Sequence, residues 1–161
     1  MKAILRSGFL ALAIMAQAVP ANSGPLEDGK AALDQYDYAT AILLFRKAAG
    51  QGNADAQAQL GTMYNIGLGA PQSYTEAAKW YRKAAEQGNA DAQVSLGHMY
   101  AQGRGVPRDY VLAHMWFSLA AARGNLKGLR NRHQISERMT PAQIAKAEKL
   151  ARDWLEKHKK R

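Results

Sequence analysis

The chain has 161 residues, with 22 Lys or Arg against 13 Asp or Glu, a net charge of +9 and no cysteine. The missing thiols exclude disulfides, thiolate metal sites and a lipidated N-terminal cysteine, so packing alone must hold the fold together. The length suits one hydrophobic core and is too short for two independent ones.

Residues 1–21 have the layout of a secretory signal peptide. Lys2 and Arg6 precede an apolar run from Phe9 to Ala16, and Ala16-Gln17-Ala18 or Val19-Pro20-Ala21 offers a cut after Ala18 or after Ala21. The run falls short of the roughly 20 residues that a spanning helix needs. The expectation is therefore a periplasmic or secreted protein whose mature chain has no transmembrane segment.

Residues 26–53 contain a partial copy of a unit that then appears twice in full, at 48–83 and 84–119. The two full copies match at 19 of 36 positions without a gap. GNADAQ recurs at Gly52 to Gln57 and Gly88 to Gln93, LG-x-MY at Leu60 to Tyr64 and Leu96 to Tyr100, and G-x-G-x-P at Gly67 to Pro71 and Gly103 to Pro107. A fixed period of this length marks a solenoid.

Inside each unit the apolar spacing is helical, as at Ala56, Leu60, Met63 and Tyr64. Asn53 or Asp55 can cap the start of this first helix, Gly67 and Gly69 end it, and Pro71 prevents its continuation. The second helix starts near Ser73, where Ser73-Tyr74-Thr75-Glu76 reads as a capping box; in the next copy Asp109 caps but Leu112 cannot complete the box. It carries Tyr74, Ala77, Ala78, Trp80, Tyr81, Ala84 and Ala85, small and aromatic residues that let paired helices approach closely. Trp80, Trp116, Tyr64 and Tyr100 recur with the period, which assigns them to the core and not to a base-stacking surface, so no nucleic-acid partner is expected.

Residues 120–161 depart from the pattern. Arg132 stands where Leu60 and Leu96 stood, and His133 replaces the following glycine. Thr140, Pro141 and Gln143 then announce a helix whose stripe of Ile144, Ala147, Ala151, Trp154 and Leu155 is expected to cap the last repeat. Residues 22–126 hold nine basic and nine acidic residues, whereas 127–161 hold eleven and four, so the basic charge belongs mainly to this C-terminal segment.

The pattern A-D-A-Q-x-x-L-G-x-M-Y-x-x-G-x-G-x-P, followed by A-x-x-W-[YF] and A-A-x-x-G, resembles the Sel1-like repeat, a relative of the tetratricopeptide repeat. The resemblance implies an all-α, right-handed solenoid of antiparallel helix pairs that serves as a protein-binding scaffold, in many members within bacterial envelopes. Some secreted, cysteine-rich relatives are associated with beta-lactamase-like activity, but their disulfide framework is absent here.

The chain itself offers no catalytic, metal or cofactor-binding residues. His98, His114, His133 and His158 lack ligand spacing, the serines lack a G-x-S-x-G setting, and Gly67-Leu68-Gly69 lacks the strand and Gly-Lys-Ser/Thr of a phosphate cradle. Binding is the remaining chemistry. Asp55, Gln59, Thr62 and Ile66 fall on one side of a helix, as do their counterparts Asp91, Ser95, His98 and Gln102; stacked, the two stripes form a candidate groove for a protein or peptide. The alternative is an electrostatic binder, in which the basic C-terminal segment, ending in Lys157, His158, Lys159, Lys160 and Arg161, meets an anionic envelope polymer or lipid surface.

Overall fold

A computed structural model describes residues 23–159, and among them there are eight helices and no strand. The expected signal peptide and its two alternative cuts lie outside the described residues, as do Lys160 and Arg161. The helices are α1 (Gly24–Asp34), α2 (Tyr38–Gly50), α3 (Ala54–Ile66), α4 (Tyr74–Glu86), α5 (Ala90–Gln102), α6 (Tyr110–Ala122), α7 (Leu126–Ser136) and α8 (Pro141–His158). Three hairpins, α1 with α2, α3 with α4 and α5 with α6, stack through α2–α3 and α4–α5 contacts into a helical-repeat solenoid. No helix among the described residues is long and apolar enough to cross a membrane.

The first hairpin is complete, where the sequence pattern suggested a partial repeat. Residues 35–37 join α1 to α2, whereas the longer segments 67–73 and 103–109 join the later pairs. A fixed 36-residue offset therefore loses its register before Tyr38, although the helix is present.

Local chemistry sets the helix ends. Of the two candidate caps for α3, Asn53 is the one used: its side-chain oxygen accepts from Ala56 N at 2.9 Å, and Asn89 does the same for Ala92 N at the start of α5. Gly69 and Gly105 have φ of 71° and 69°, and a Cβ there would sit 2.3 Å from the Tyr38 carbonyl oxygen and 2.1 Å from that of Tyr74. Only glycine lets these loops lie against the preceding hairpin. Ser73 accepts from Glu76 N, but the Glu76 carboxylate is turned to Lys79 Nζ at 2.6 Å, so the expected box at α4 is only half made. At α8 both halves form: Thr140 Oγ1 accepts from Gln143 N at 3.2 Å, and Thr140 N donates to Gln143 Oε1 at 2.9 Å.

One packing device recurs in every hairpin. Phe45, Tyr81 and Phe117 lie over Gly29, Gly61 and Gly97, where an added Cβ would come within 2.7, 2.5 and 2.5 Å of the ring. The missing side chain on the first helix makes room for the aromatic of the second. Around these rings Leu60, Leu96, Ala77, Ala84, Ala113 and Ala120 have no exposed surface, which places the core between the two helix layers.

The C-terminal end is built differently. Helix α7 packs on α6, and α8 also packs on α6, with hardly any contact between α7 and α8. Ala147 and Ala151 are buried, and Trp154 meets Trp116 edge-on with 6.3 Å between ring centroids. The apolar stripe on α8 thus closes over the last complete repeat, but from the side of α6. The outer side of α7 stays open, with Leu126 77% and Leu129 39% exposed.

Candidate protein-binding groove

The first helices of the three hairpins, α1, α3 and α5, together with α7, line a chain of three open cavities. The first, about 350 Å³, is bounded by Lys30, Asp55, Gln59, Thr62, Tyr81, Asn89, Asp91 and Ser95. The second, about 340 Å³, shares Tyr81 and Ser95 with it and adds Asn65, His98, Gln102 and Arg104. The third, about 250 Å³, shares His98 and Gln102 and ends at Asn131, Gln134, Ile135 and Arg138. Shared walls make the three cavities one groove running across the repeats.

Seven of the eight residues picked from the sequence therefore come together: Asp55, Gln59, Thr62, Asp91, Ser95, His98 and Gln102. Ile66 does not join them. It is the last residue of α3, 53% exposed, and outside the walls of all three cavities.

The two aspartates already have structural work. Asn89 Nδ2 donates to Asp55 Oδ1 at 2.9 Å, and Asn125 Nδ2 donates to Asp91 Oδ1 at 3.0 Å, so each capping asparagine also ties its helix to the preceding repeat. Both residues of this rung are the same in the two copies because both are needed for the stacking. A second rung is buried: Gln57 and Gln93 donate to the carbonyls of Ala49 and Ala85 at 3.3 and 3.1 Å, and Gln87 donates to Gln57 Oε1 at 2.8 Å. Arg123 takes the place of Gln87 in the next repeat, and Gln93 Oε1 is left buried without a partner.

The side chains that differ between copies give the groove its chemistry. Tyr81 Oη donates to Thr62 Oγ1 at 3.0 Å, and burial raises the phenol pKa, which keeps it a donor. The corresponding ring one repeat later is Phe117, which has no hydroxyl. There His98 packs edge-on to Phe117 with 5.1 Å between centroids, and its Nε2 lies 2.9 Å from Asn131 Nδ2 on α7. Although its outer edge is exposed, partial burial holds the His98 pKa below the usual histidine range, which favours the neutral ring that accepts from the amide.

Sequence reasoning missed Lys30, Tyr81, Asn131, Gln134 and Arg138. Tyr81 was read as core, which it is at 5% exposure, but its hydroxyl edge reaches the groove. Lys30 lies on α1, whose register the 36-residue offset does not carry, whereas Asn131, Gln134 and Arg138 stand one period beyond Ser95, His98 and Gln102, where the stripe was not continued. Among the described residues no group of His, Cys, Asp and Glu is arranged to hold a metal ion.

A solenoid of short helix pairs with an open face of varied polar side chains is the architecture of a helical-repeat binding protein. Sel1 repeats are matched at residues 24–53, 54–89 and 90–125, so the chain belongs to the Sel1 repeat family. Among solved structures it is similar to a protective antigen present in uropathogenic Escherichia coli strains that displays an SLR fold. That match has a TM-score of 0.79 and 38% identity and covers 83% of this chain and 30% of the other. It is also similar to a Sel1 repeat protein from Oxalobacter formigenes, with a TM-score of 0.63, 34% identity and coverage of 66% and 43%. The chain thus spans less than half the length of either. No curated protein matches it.

Proposed function

We propose that this protein is an exported, noncatalytic scaffold that binds a protein or peptide partner along the α1–α3–α5–α7 groove in a bacterial envelope. Sel1 repeats commonly serve as protein-interaction scaffolds, which supports the general reading. The observation that carries it to this surface is a contrast between faces. Leu60 and Leu96, or Met63 and Met99, are repeated and buried, whereas Gln59 becomes Ser95 and Thr62 becomes His98 where the side chains face the groove. Packing fixes the first set and leaves the second free to suit a ligand.

The competing surface is the basic C-terminal segment. On α8 its charge is partly answered, since Lys149 pairs with Asp153 at 2.6 Å and Lys159 with Glu156 at 2.6 Å. Export predicts a mature N-terminus at Val19 or Asn22, and an intact mass from the envelope fraction that retains Met1 would contradict it. For the groove, replacing Gln59, Thr62, Ser95 and His98 by bulky or charged residues should abolish capture of the partner while helicity is unchanged. Neutralising Lys157, Lys159, Lys160 and Arg161 should leave capture intact. The reverse result, with binding that weakens steeply as salt rises, would replace this reading by an anionic-surface binder.

A further inference from the structure

The groove has two chemically different ends. Toward α1 its charged walls are Lys30, Asp55 and Asp91, and its floor carries the Tyr81 hydroxyl bonded to Thr62. Toward α7 the charged walls are Arg104 and Arg138, with no carboxylate among the residues that line either cavity there. Among the described residues neither arginine has an ion pair; Arg104 lies over the Tyr74 ring, 5.6 Å from its centroid, and Arg138 sits on the exposed turn between α7 and α8.

The floor changes at the same place. Between α5 and α7 the cavity of about 250 Å³ has Phe117, Ile135 and Ala101 as carbon walls, because Phe117 lacks the hydroxyl that Tyr81 extends toward Thr62. The rim is made of donors and acceptors, Gln102, Asn131 and Gln134, with His98 bridged to Asn131 across the gap. An apolar floor under a polar rim fits a side chain that is buried at its end while the backbone that carries it stays hydrogen-bonded.

From this juxtaposition we infer that the α5–α7 cavity is an anchor site for a partner segment bearing an aliphatic side chain next to Asp or Glu. The aliphatic group rests on Phe117 and Ile135, and the flanking carboxylate faces Arg138, with Arg104 in the adjoining cavity. The segment runs from there along Ser95 and Gln59 toward Asp55, which sets its direction in the groove. This rests on the groove reading above and adds the chemistry of the occupant.

The test uses a random dodecapeptide library displayed on phage and selected on the full protein, followed by binding of the selected peptides to three variants at surface or half-buried groove positions. The expected sequences share one aliphatic position with an adjacent Asp or Glu. Gln134→Trp, which fills the anchor cavity, should weaken them by at least about tenfold, and Arg138→Glu should remove the preference for the acidic neighbour. Gln59→Trp, at the far end, should weaken them as well. Circular dichroism of each variant matching the parent secures the comparison. Peptides that lose binding with Gln59→Trp but are untouched by Gln134→Trp, or that carry basic neighbours, overturn the anchor site and leave the groove standing. Peptides insensitive to every variant, or no enrichment at all, overturn both.

Discussion

The interior repeats and the C-terminal pair are built from the same template but end in opposite situations. In α3 and α5 the positions of Gln57 and Gln93 are 5% and 0% exposed, and both donate to carbonyls of the preceding hairpin, Ala49 and Ala85. One period later the position is Leu129, 39% exposed, and Arg132 replaces the leucine that is fully buried at 60 and 96. Helix α8 leaves the slot a second helix would fill and docks on α6 instead. A repeat residue is therefore defined by the helices around it as much as by its own: where the second helix of the pair is missing, a core position becomes a surface one.

The largest break in this comparison is expected at Leu96. Leu96→Ala empties a fully buried site and should cost about 2 to 5 kcal/mol by denaturant unfolding. The equivalent Arg132→Ala should cost under about 1 kcal/mol, since Arg132 is only half-buried on α7. Similar losses at the two sites would mean that α7 is as integral as α5.

A smaller effect is expected from the asparagine rungs. Asn89→Ala removes both the cap of α5 and the bond to Asp55, and should destabilise by about 1 to 2 kcal/mol. Asn53→Ala should cost less, because Asn53 caps α3 and has no such rung to α1 in the structure. Equal midpoints for the two variants would count against a stabilising role for the rung.

Next comes acidity, which bears on the junction of the two regions. His114 on α6 is 2% exposed, and its Nδ1 lies 3.3 Å from Ser118 Oγ. Burial first, then the Arg132 cation and His133 on α7, hold its pKa below the usual 6.5, with Glu148 on α8 opposing. Between the folded and unfolded values the unfolded chain binds more protons, so stability falls as pH is lowered through and below about 6.5. His98, also depressed, adds in the same direction. Denaturant midpoints at pH 7.5 and 5 should separate less in His114→Leu than in the parent; an unchanged separation would remove His114 from this account.

The smallest change is Leu129→Gln, which restores the repeat residue where no second helix covers it. Its effect should stay within about 0.5 kcal/mol by the same measurement.

How much of this the sequence revealed depended on whether the information was local or periodic. Asn53, Ser73, Asp109 and Thr140 could be read as starts because a cap is a contact made within its own first turn. The identity of α3 to α6 followed from the period, as did the burial of Leu60 and Leu96. Helix α1 was hidden by its shorter connection, and the docking of α8 on α6 by the fact that an amphipathic stripe does not name the surface it will meet. In the groove, Gln59, Thr62, Ser95 and His98 were accessible to helix spacing, and one further period would have added Asn131 and Arg138, which the loss of core residues such as Leu96 to Arg132 obscured. The aspartates were assigned to a ligand before their asparagine partners, 34 residues ahead, were in view.

The double duty of Asn89 and Asn125 makes these two side chains points of chemical ageing. Hydrolysis of the amide to a carboxylate keeps the oxygen that caps the helix but deletes the Nδ2 donor, and it sets a new negative charge against Asp55 or Asp91 across the rung. A deamidated chain would thus start its helices normally and yet loosen between repeats, a lesion that Asn89→Asp reproduces.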